Sequence, residues 1–280
     1  MPSNTDLAAL FRQLHHGDTP LLLPNIWDPL GAALLQDVGY PAVATSSSAM
    51  ALSNGYRDGE NLPFSDLLKI LDRITKSVDI PVSADIERGY AANDKQLAEH
   101  IKQLIDTGIA GINYEDSMHG APGMLPVEQQ AESLAAIRKA ADAAGTKLFI
   151  NARTDVYIKG GTMSADEKLA EALRRGKAYK EAGADGLYPI LLKDRRHIEM
   201  LVKEVGLPLN LTLVPGIPDL AALKSIGVAR VSMASGFVRH AVHALKLLAG
   251  QVLKGEAWEE ATRDTVPSQY LNGLIREQPA

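Results

Sequence analysis

The stretch "PVSADIERGYAANDKQLAEHIKQLIDTGIAGINYED" (residues 81–116) decides how this chain folds. It opens on a run in which Val82, Ala84 and Ile86 alternate with Ser83, Asp85 and Glu87, the two-residue period of a strand. "NDKQLAEHIKQLIDTG" (93–108) changes the period: Leu97, Ile101, Leu104 and Ile105 make one apolar stripe of a helix. Gly108 stands where that helix should stop, because glycine readily takes the left-handed conformation that closes a helix C-terminus. "AGINYED" (110–116) is strand-like again. Strand, helix, strand in that order predicts a parallel βαβ unit.

Working outward, the same unit recurs. Strand candidates are "LLLPNI" (21–26), "AVATSS" (42–47), "PVSADI" (81–86), "AGINYED" (110–116), "LFINART" (148–154), "DGLYPIL" (185–191), "PLNLTLV" (208–214) and "RVSMAS" (230–235). Each is followed by a helical pattern, and Gly39, Gly108, Gly145, Gly183, Gly206 and Gly227 mark helix stops. Eight parallel units in about 250 residues predict an α/β fold of the (β/α)8, TIM-barrel type. The rival, an open doubly wound sheet, favours a glycine-rich phosphate turn after its first strand. Here that turn reads "NIWDPLGAA" (25–33), without the G-x-G-x-x-G pattern.

Residues 1–280 are therefore expected to form a single barrel domain with additions at both ends. Residues 5–16 read as an amphipathic helix that caps the barrel bottom. After the eighth strand come "GFVRHAVHALKLLAGQVLKG" (236–255) and "EAWEEATRDTVPSQYLNGLI" (256–275), a helical tail over about 240–280 that carries Trp258, Tyr270 and Leu274. A barrel needs less than this, so the tail is expected to pack on a neighbouring chain in a homo-oligomer.

The net charge is −5, spread along the chain, which argues against a nucleic-acid surface or a membrane-binding basic patch. There is no cysteine, hence no disulfide, thiolate nucleophile or cysteine metal site. No run approaches the length of a membrane span, and the first residues lack a basic stretch followed by a long apolar one; a cytoplasmic protein is expected.

In a barrel of this kind the active site forms where strands end and βα loops begin. Those positions hold Asn25 and Asp28; Thr45, Ser46, Ser47 and Ser48 with Arg57 and Asp58 beyond; Asp85 and Glu87; Glu115 and Asp116; Asn151, Arg153 and Asp155; Tyr188; Asn210; and Ser232 and Ser235. So many acids at one mouth would repel one another, and some would take up protons. A divalent cation removes that cost. Magnesium takes hard oxygen ligands and keeps several waters, so Asp85 as direct ligand with Glu87 and Glu115 acting through water would suit it. The competing reading is that the acids cap helices or pair with Arg57, Arg88 and Arg153, and Asp116 and Asp155 look most like caps. The serine run offers small residues whose amides can receive an anion: Ser47 and Ser48 by backbone, Ser46 by hydroxyl. Arg153 is the natural second anion contact, since its fork matches a carboxylate; its structural alternative is an ion pair with Asp155 or Glu115.

Taken together, "NIWDP…AALLQDVGYPAVATSSSAMALSNGYRDGE", "SADIERGY", "INYEDS" and "NARTD" resemble the isocitrate lyase / phosphoenolpyruvate mutase superfamily, and "PLNLTLVPG" and "ARVSMASG" extend the match over most of residues 21–240. The resemblance implies a Mg²⁺-dependent enzyme, with Mn²⁺ as substitute, acting on a small 2-oxo or 2-hydroxy carboxylate through an enolate of pyruvate type. It puts Asp85 on the direct metal ligand, Glu87 and Glu115 on acids that hold metal-bound water, Asp58 nearby, Ser46, Ser47 and Ser48 on the carboxylate-binding turn and Arg153 on the substrate-binding arginine. It also implies a barrel whose eighth helix is exchanged between subunits, in tetramers built as dimers of helix-swapped dimers.

The departures narrow the chemistry. The isocitrate and methylisocitrate lyases carry an acid–base Cys on the loop after the fourth strand, where this chain has "EDSMHGAPGMLP" (115–126). The phosphonate-cleaving branch has Lys after Glu-Asp, where this chain has Ser117, and a His after the sixth strand, where it reads "LYPILL" (187–192). The expectation is a lyase that breaks a C–C bond, oxaloacetate-like decarboxylation needing the fewest extra groups. His119 or Tyr90 would return the proton, and Asn210 would line the substrate pocket. The alternatives are a phosphonopyruvate- or carboxyphosphonate-type mutase or P–C hydrolase, and a non-catalytic barrel that binds a dicarboxylate.

Overall fold

The computed structural model describes residues 3–118, 120–256, 258–263 and 265–276. In chain order the elements are α1 (Asn4–Leu14), β1 (Leu21–Leu23), β2 (Asn25–Ile26), α2 (Pro29–Asp37), β3 (Val43–Thr45), α3 (Ser47–Ser53), α4 (Phe64–Ser77), β4 (Val82–Asp85), α5 (Asp94–Asp106), β5 (Gly111–Glu115) and α6 (Val127–Ala143). Then follow β6 (Phe149–Thr154), α7 (Val156–Lys159), α8 (Ala165–Glu181), β7 (Gly186–Pro189), α9 (Arg195–Val205), β8 (Asn210–Thr212), α10 (Leu220–Ile226), β9 (Arg230–Ser232), α11 (Gly236–Leu253), α12 (Trp258–Arg263) and α13 (Ser268–Leu274).

All eight expected strands are present, the first split and the others shorter at one or both ends, and every pairing between them is parallel. The first is split because Pro24 has no N–H to give the ladder. Its two halves serve different neighbours: β1 pairs with β9, and β2 pairs with β3. From β2 the pairing runs through β3, β4, β5, β6 and β7; a single parallel bridge, Leu187 to Leu209, carries it to β8, which pairs with β9. The strands thus follow one another around a ring. The six glycines expected to stop helices all have positive φ, from 64° to 101°.

Strand register stacks the interior in layers, because alternate residues face inward. Gly111 lies beside Phe149, Asn113 beside Asn151, and Glu115 beside Arg153. The lowest layer is apolar and is plugged by α1, whose Phe11 is fully buried against Phe149, ring centroids 5.5 Å apart. Glycine is required at 111: a Cβ there would sit 2.7 Å from the Phe11 ring and 3.0 Å from the Phe149 carbonyl oxygen. The middle layer is polar and buried: Asn151 Nδ2 donates to Asn113 Oδ1 at 2.8 Å, and Arg230 Nη2 to the same oxygen at 3.2 Å. The top layer holds the acids and Arg153.

The outer helices bury their apolar stripes, as α5 does with Leu97, Ile101, Leu104 and Ile105. The eighth helix of the ring, α11, does not: Val238 is its only buried residue, while Val242, Leu245 and Leu253 are 57%, 68% and 89% exposed. At the end of the tail, α13 lies on α2 of its own chain, with Tyr270 donating to Asp37 and Arg276 paired with Asp79. No helix among the described residues is long and apolar enough to cross a membrane.

Candidate active site

The C-terminal ends of β3, β4, β5 and β6 meet at one rim. Asp85 is the last residue of β4, and its amide donates to Thr45 Oγ1 at 3.0 Å. The serine run begins a helix rather than a loose turn: Ser46 caps α3 and Ser47 opens it. The Ser47 hydroxyl and amide both donate to Asp85 Oδ2, at 2.9 and 3.3 Å. Asp85 Oδ1 is buried and, among the described residues, has no hydrogen-bond partner. Burial pushes the Asp85 carboxyl above the usual carboxylate range; Arg153 opposes this and Glu115 adds to it.

Glu87 sits just past β4 with φ 51°, a left-handed conformation that costs a side-chain-bearing residue strain and marks functional loops. Its carboxylate accepts from the Glu60 amide at 2.9 and 3.0 Å, so it holds the loop after α3 against the rim. Burial raises its pKa to about 8; the Glu60 amide opposes the shift, and Asp85, Asp58 and Glu115 reinforce it.

Arg153 takes the structural alternative foreseen for it. Nη1 pairs with Glu115 Oε2 at 2.7 Å, and the Nε and Nη2 edge meets both oxygens of Asp155 at 2.7 and 3.1 Å. Burial works against its charge, but Glu115 and Asp155 outweigh it and hold the guanidinium firmly protonated. Asp155 and Asp116 were expected as caps; the Asp155 side chain makes no cap hydrogen bond to α7 but receives Arg153 and lines the rim cavity, and Asp116 is tied to its neighbours. The Asp155 amide donates to Asp116 Oδ1 at 2.9 Å, and Asp116 Oδ2 receives Arg175 at 2.9 Å and the Tyr179 hydroxyl at 2.7 Å. Arg175, reaching in from α8, also donates to the Leu125 carbonyl and so fixes the far end of the loop after β5.

A cavity of about 290 Å³ opens among Ser47, Asp58, Glu87, Glu115, Arg153 and Lys159. Asp58, Glu87, Glu115, Arg153 and Ser47 are thus brought together, with Asp85 behind Ser47. Ser46 is occupied in capping, its Oγ accepting from the Ala49 amide at 3.3 Å, and Ser48 lies in the first turn of α3. Tyr90 does not line this cavity; it packs beside Phe64, and its hydroxyl donates to Glu87 Oε1 at 3.4 Å. Burial and the Glu87 carboxylate hold that hydroxyl protonated well beyond its ordinary range. Asn210 is buried in the ring interior, accepting from Ser232 at 3.2 Å. His119 lies outside the described residues.

Do these residues suit magnesium? The donors are all hard oxygens, and the buried, unpartnered Oδ1 of Asp85 is a ligand atom without a ligand. Among the described residues, no three His, Asp or Glu side chains close into a cage. A magnesium ion held here would therefore take one carboxylate directly and keep water on its other positions. Two features were missed in the sequence. Lys159 lines the cavity, a few residues beyond Arg153 on the same βα segment, where reading further along would have found it. The Glu60 amide donates to Glu87, and the Glu60 carboxylate accepts from the amides of Arg88 and Tyr90, a role no sequence spacing signals.

With this geometry established, the chain was compared with known proteins. A family model described as phosphoenolpyruvate phosphomutase matches residues 11–253. An uncharacterized protein of Mycobacterium tuberculosis (strain ATCC 25618 / H37Rv) is 32% identical over 225 residues, 80% of this chain and 81% of the relative. Oxaloacetate decarboxylase 2 of Pseudomonas fluorescens (strain Pf0-1) is 26% identical over 232 residues, 82% of this chain and 77% of the relative. A crystal structure from Burkholderia cenocepacia J2315, provisionally called a phosphonomutase, superposes with a TM-score of 0.84 at 39% identity, over 88% of this chain and 100% of that one.

Proposed function

This chain belongs to the phosphoenolpyruvate phosphomutase family, matched over residues 11–253, and on that premise we propose that it is a Mg²⁺-dependent lyase. It breaks a C–C bond of a small 2-oxo or 2-hydroxy carboxylate through a pyruvate-type enolate. The observation that carries this reading is the buried Oδ1 of Asp85, left without a partner beside two further acids. Asp85 would hold the metal directly, and Glu87 and Glu115 would hold its waters; Mn²⁺ would substitute. When bound, the dication supplies Lewis-acid stabilisation of negative charge on the substrate's oxygen.

The chain's own residues do the rest. Glu115 and Asp155 fix the Arg153 guanidinium, so it meets a substrate carboxylate already oriented. Ser47 holds Asp85 in its rotamer, and the first turn of α3 offers amides to the same carboxylate. Asp58, which lines the same cavity, would order water there. Ser117, where the phosphonate-cleaving enzymes carry Lys, gives its hydroxyl to Asp155, which favours C–C over P–C cleavage. The likeness to an oxaloacetate decarboxylase supports the same choice. The test is pyruvate formation from a panel of 2-oxo and 2-hydroxy acids, with Mg²⁺ and with chelator. Turnover indifferent to chelator would refute the metal, and a new phosphorus resonance from phosphonopyruvate would move the assignment to the phosphonate branch.

We further propose that α11 is exchanged between subunits of a cytoplasmic homo-oligomer, a tetramer of paired dimers. Two observations support exchange: α11 exposes its apolar face, and an open, largely apolar groove of about 840 Å³ lined by Leu10, Leu14, Leu21, Leu22 and Tyr40 could receive such a face.

A further inference from the structure

Lys159, the last residue of α7, stands apart from the other charges at the rim. Arg153 is matched by two carboxylates. Among the described residues, the half-buried Lys159 ammonium donates to a single neutral group, the Met118 carbonyl at 3.1 Å. Among the described residues no carboxylate lies within ion-pair distance of it. It lines the cavity that holds Glu115 and Arg153, and also an adjoining one of about 520 Å³ bounded by Asp58, Met118, Gly120 and Pro122. The two cavities share Lys159, Asp58 and Gly59, so Lys159 stands where one leads into the other.

We propose that Lys159 recognises a second carboxylate, so that the site takes 2-oxo or 2-hydroxy dicarboxylates in preference to monocarboxylates. This rests on the functional reading above and deepens it. An ammonium carries three protons, and one is spent on Met118, leaving two for an incoming anion. Holding a cation partly out of water without a counter-charge is costly, and a carboxylate would offset that cost. On the functional reading above, Arg153 would serve the carboxylate next to the reacting carbon. A group further along the substrate lies toward the wider cavity, where, among the described lining residues, Lys159 is the remaining cation. As a compact charge on a flexible stem, lysine accepts a carboxylate in many orientations, which suits a group at the far end of a short chain. A mere tether to Met118 would need one donor and no charge.

The test uses the full chain with Mg²⁺ and compares binding of malate, lactate and oxalate by calorimetry. Malate and lactate share the 2-hydroxy acid end and differ in the second carboxylate; oxalate fills only the inner half. The wild type should bind malate at least about tenfold more tightly than lactate, the size of effect a charged hydrogen bond gives. Lys159→Met should abolish that preference and leave lactate and oxalate unchanged, and Lys159→Arg should keep most of it. If Lys159→Met weakens all three ligands equally, or leaves the malate preference intact, Lys159 is a loop tether and the proposal fails. Oxalate binding by the wild type separates the failures. Oxalate bound without a malate preference overturns the Lys159 assignment alone, and no binding of any of the three overturns the functional reading as well.

Discussion

Ser47 gives both its amide and its hydroxyl to one oxygen of Asp85, at 3.3 and 2.9 Å, and the other oxygen is buried with no hydrogen-bond partner among the described residues. A carboxylate held this firmly, with half its acceptor capacity unused, is costly unless a ligand completes it. Much of what can be tested follows from that arrangement.

Asp85→Asn should separate metal binding from folding. The amide keeps an acceptor for Ser47 and removes a buried charge, so the variant should melt at or above the temperature of the metal-free wild type. Saturating Mg²⁺ should raise the wild-type melting temperature by several degrees, consistent with about 2.7 kcal/mol at a hundredfold excess over Kd. Asp85→Asn should show no such rise by differential scanning calorimetry. An equal Mg²⁺ response in both proteins would remove Asp85 from the metal site.

The raised pKa of Glu87 sets the sign of a pH effect. In the folded, metal-free protein it titrates at about 8, against an ordinary value of 4.5. The folded state therefore holds its proton more tightly than the unfolded state. That contribution is complete below about pH 4.5 and is lost progressively as pH rises to about 8, with a slope of at most about 1.4 kcal/mol per pH unit. Urea midpoints measured in chelator should fall over this range, and Glu87→Gln should flatten the slope. Mg²⁺ should reverse the trend, since its binding requires the acids ionised. A wild-type slope that Glu87→Gln leaves unchanged would place the titration elsewhere.

Arg175→Met should be among the more damaging single changes. It leaves the Asp116 carboxylate, which is fully buried and already pushed upward in pKa by that burial, without its cation. Breaking a buried pair from one side costs about 3–5 kcal/mol. Denaturation of Arg175→Met, Asp116→Asn and the double variant should show that the double variant recovers much of the loss. Additive losses would mean the two residues do not act as a pair.

Leu245→Glu, on the exposed face of α11, should leave a single chain folded and prevent its assembly. Light scattering should show an oligomer for the wild type and a chain of about 30 kDa for the variant. A wild type that is monomeric at micromolar concentration would exclude the exchanged helix.

The sequence by itself determined the ring of parallel units, the six glycine helix stops and the placing of Asp85, Glu115 and Arg153 at strand ends. Periodicity, proline chemistry and helix termination are local, so a window of residues contains their causes. Even the split of the first strand was implicit in the missing N–H of Pro24. What the tertiary structure alone decided is how the rim residues spend their charges. It gave Arg153 to Glu115 and Asp155, Ser47 to Asp85, Glu87 to the amide of Glu60, and, among the described residues, left Lys159 at the mouth with the Met118 carbonyl. Most of these pairings join residues far apart in the chain. They arise once the ring brings successive strand ends side by side in a low-dielectric rim, where the cost of an unmatched charge selects the partner.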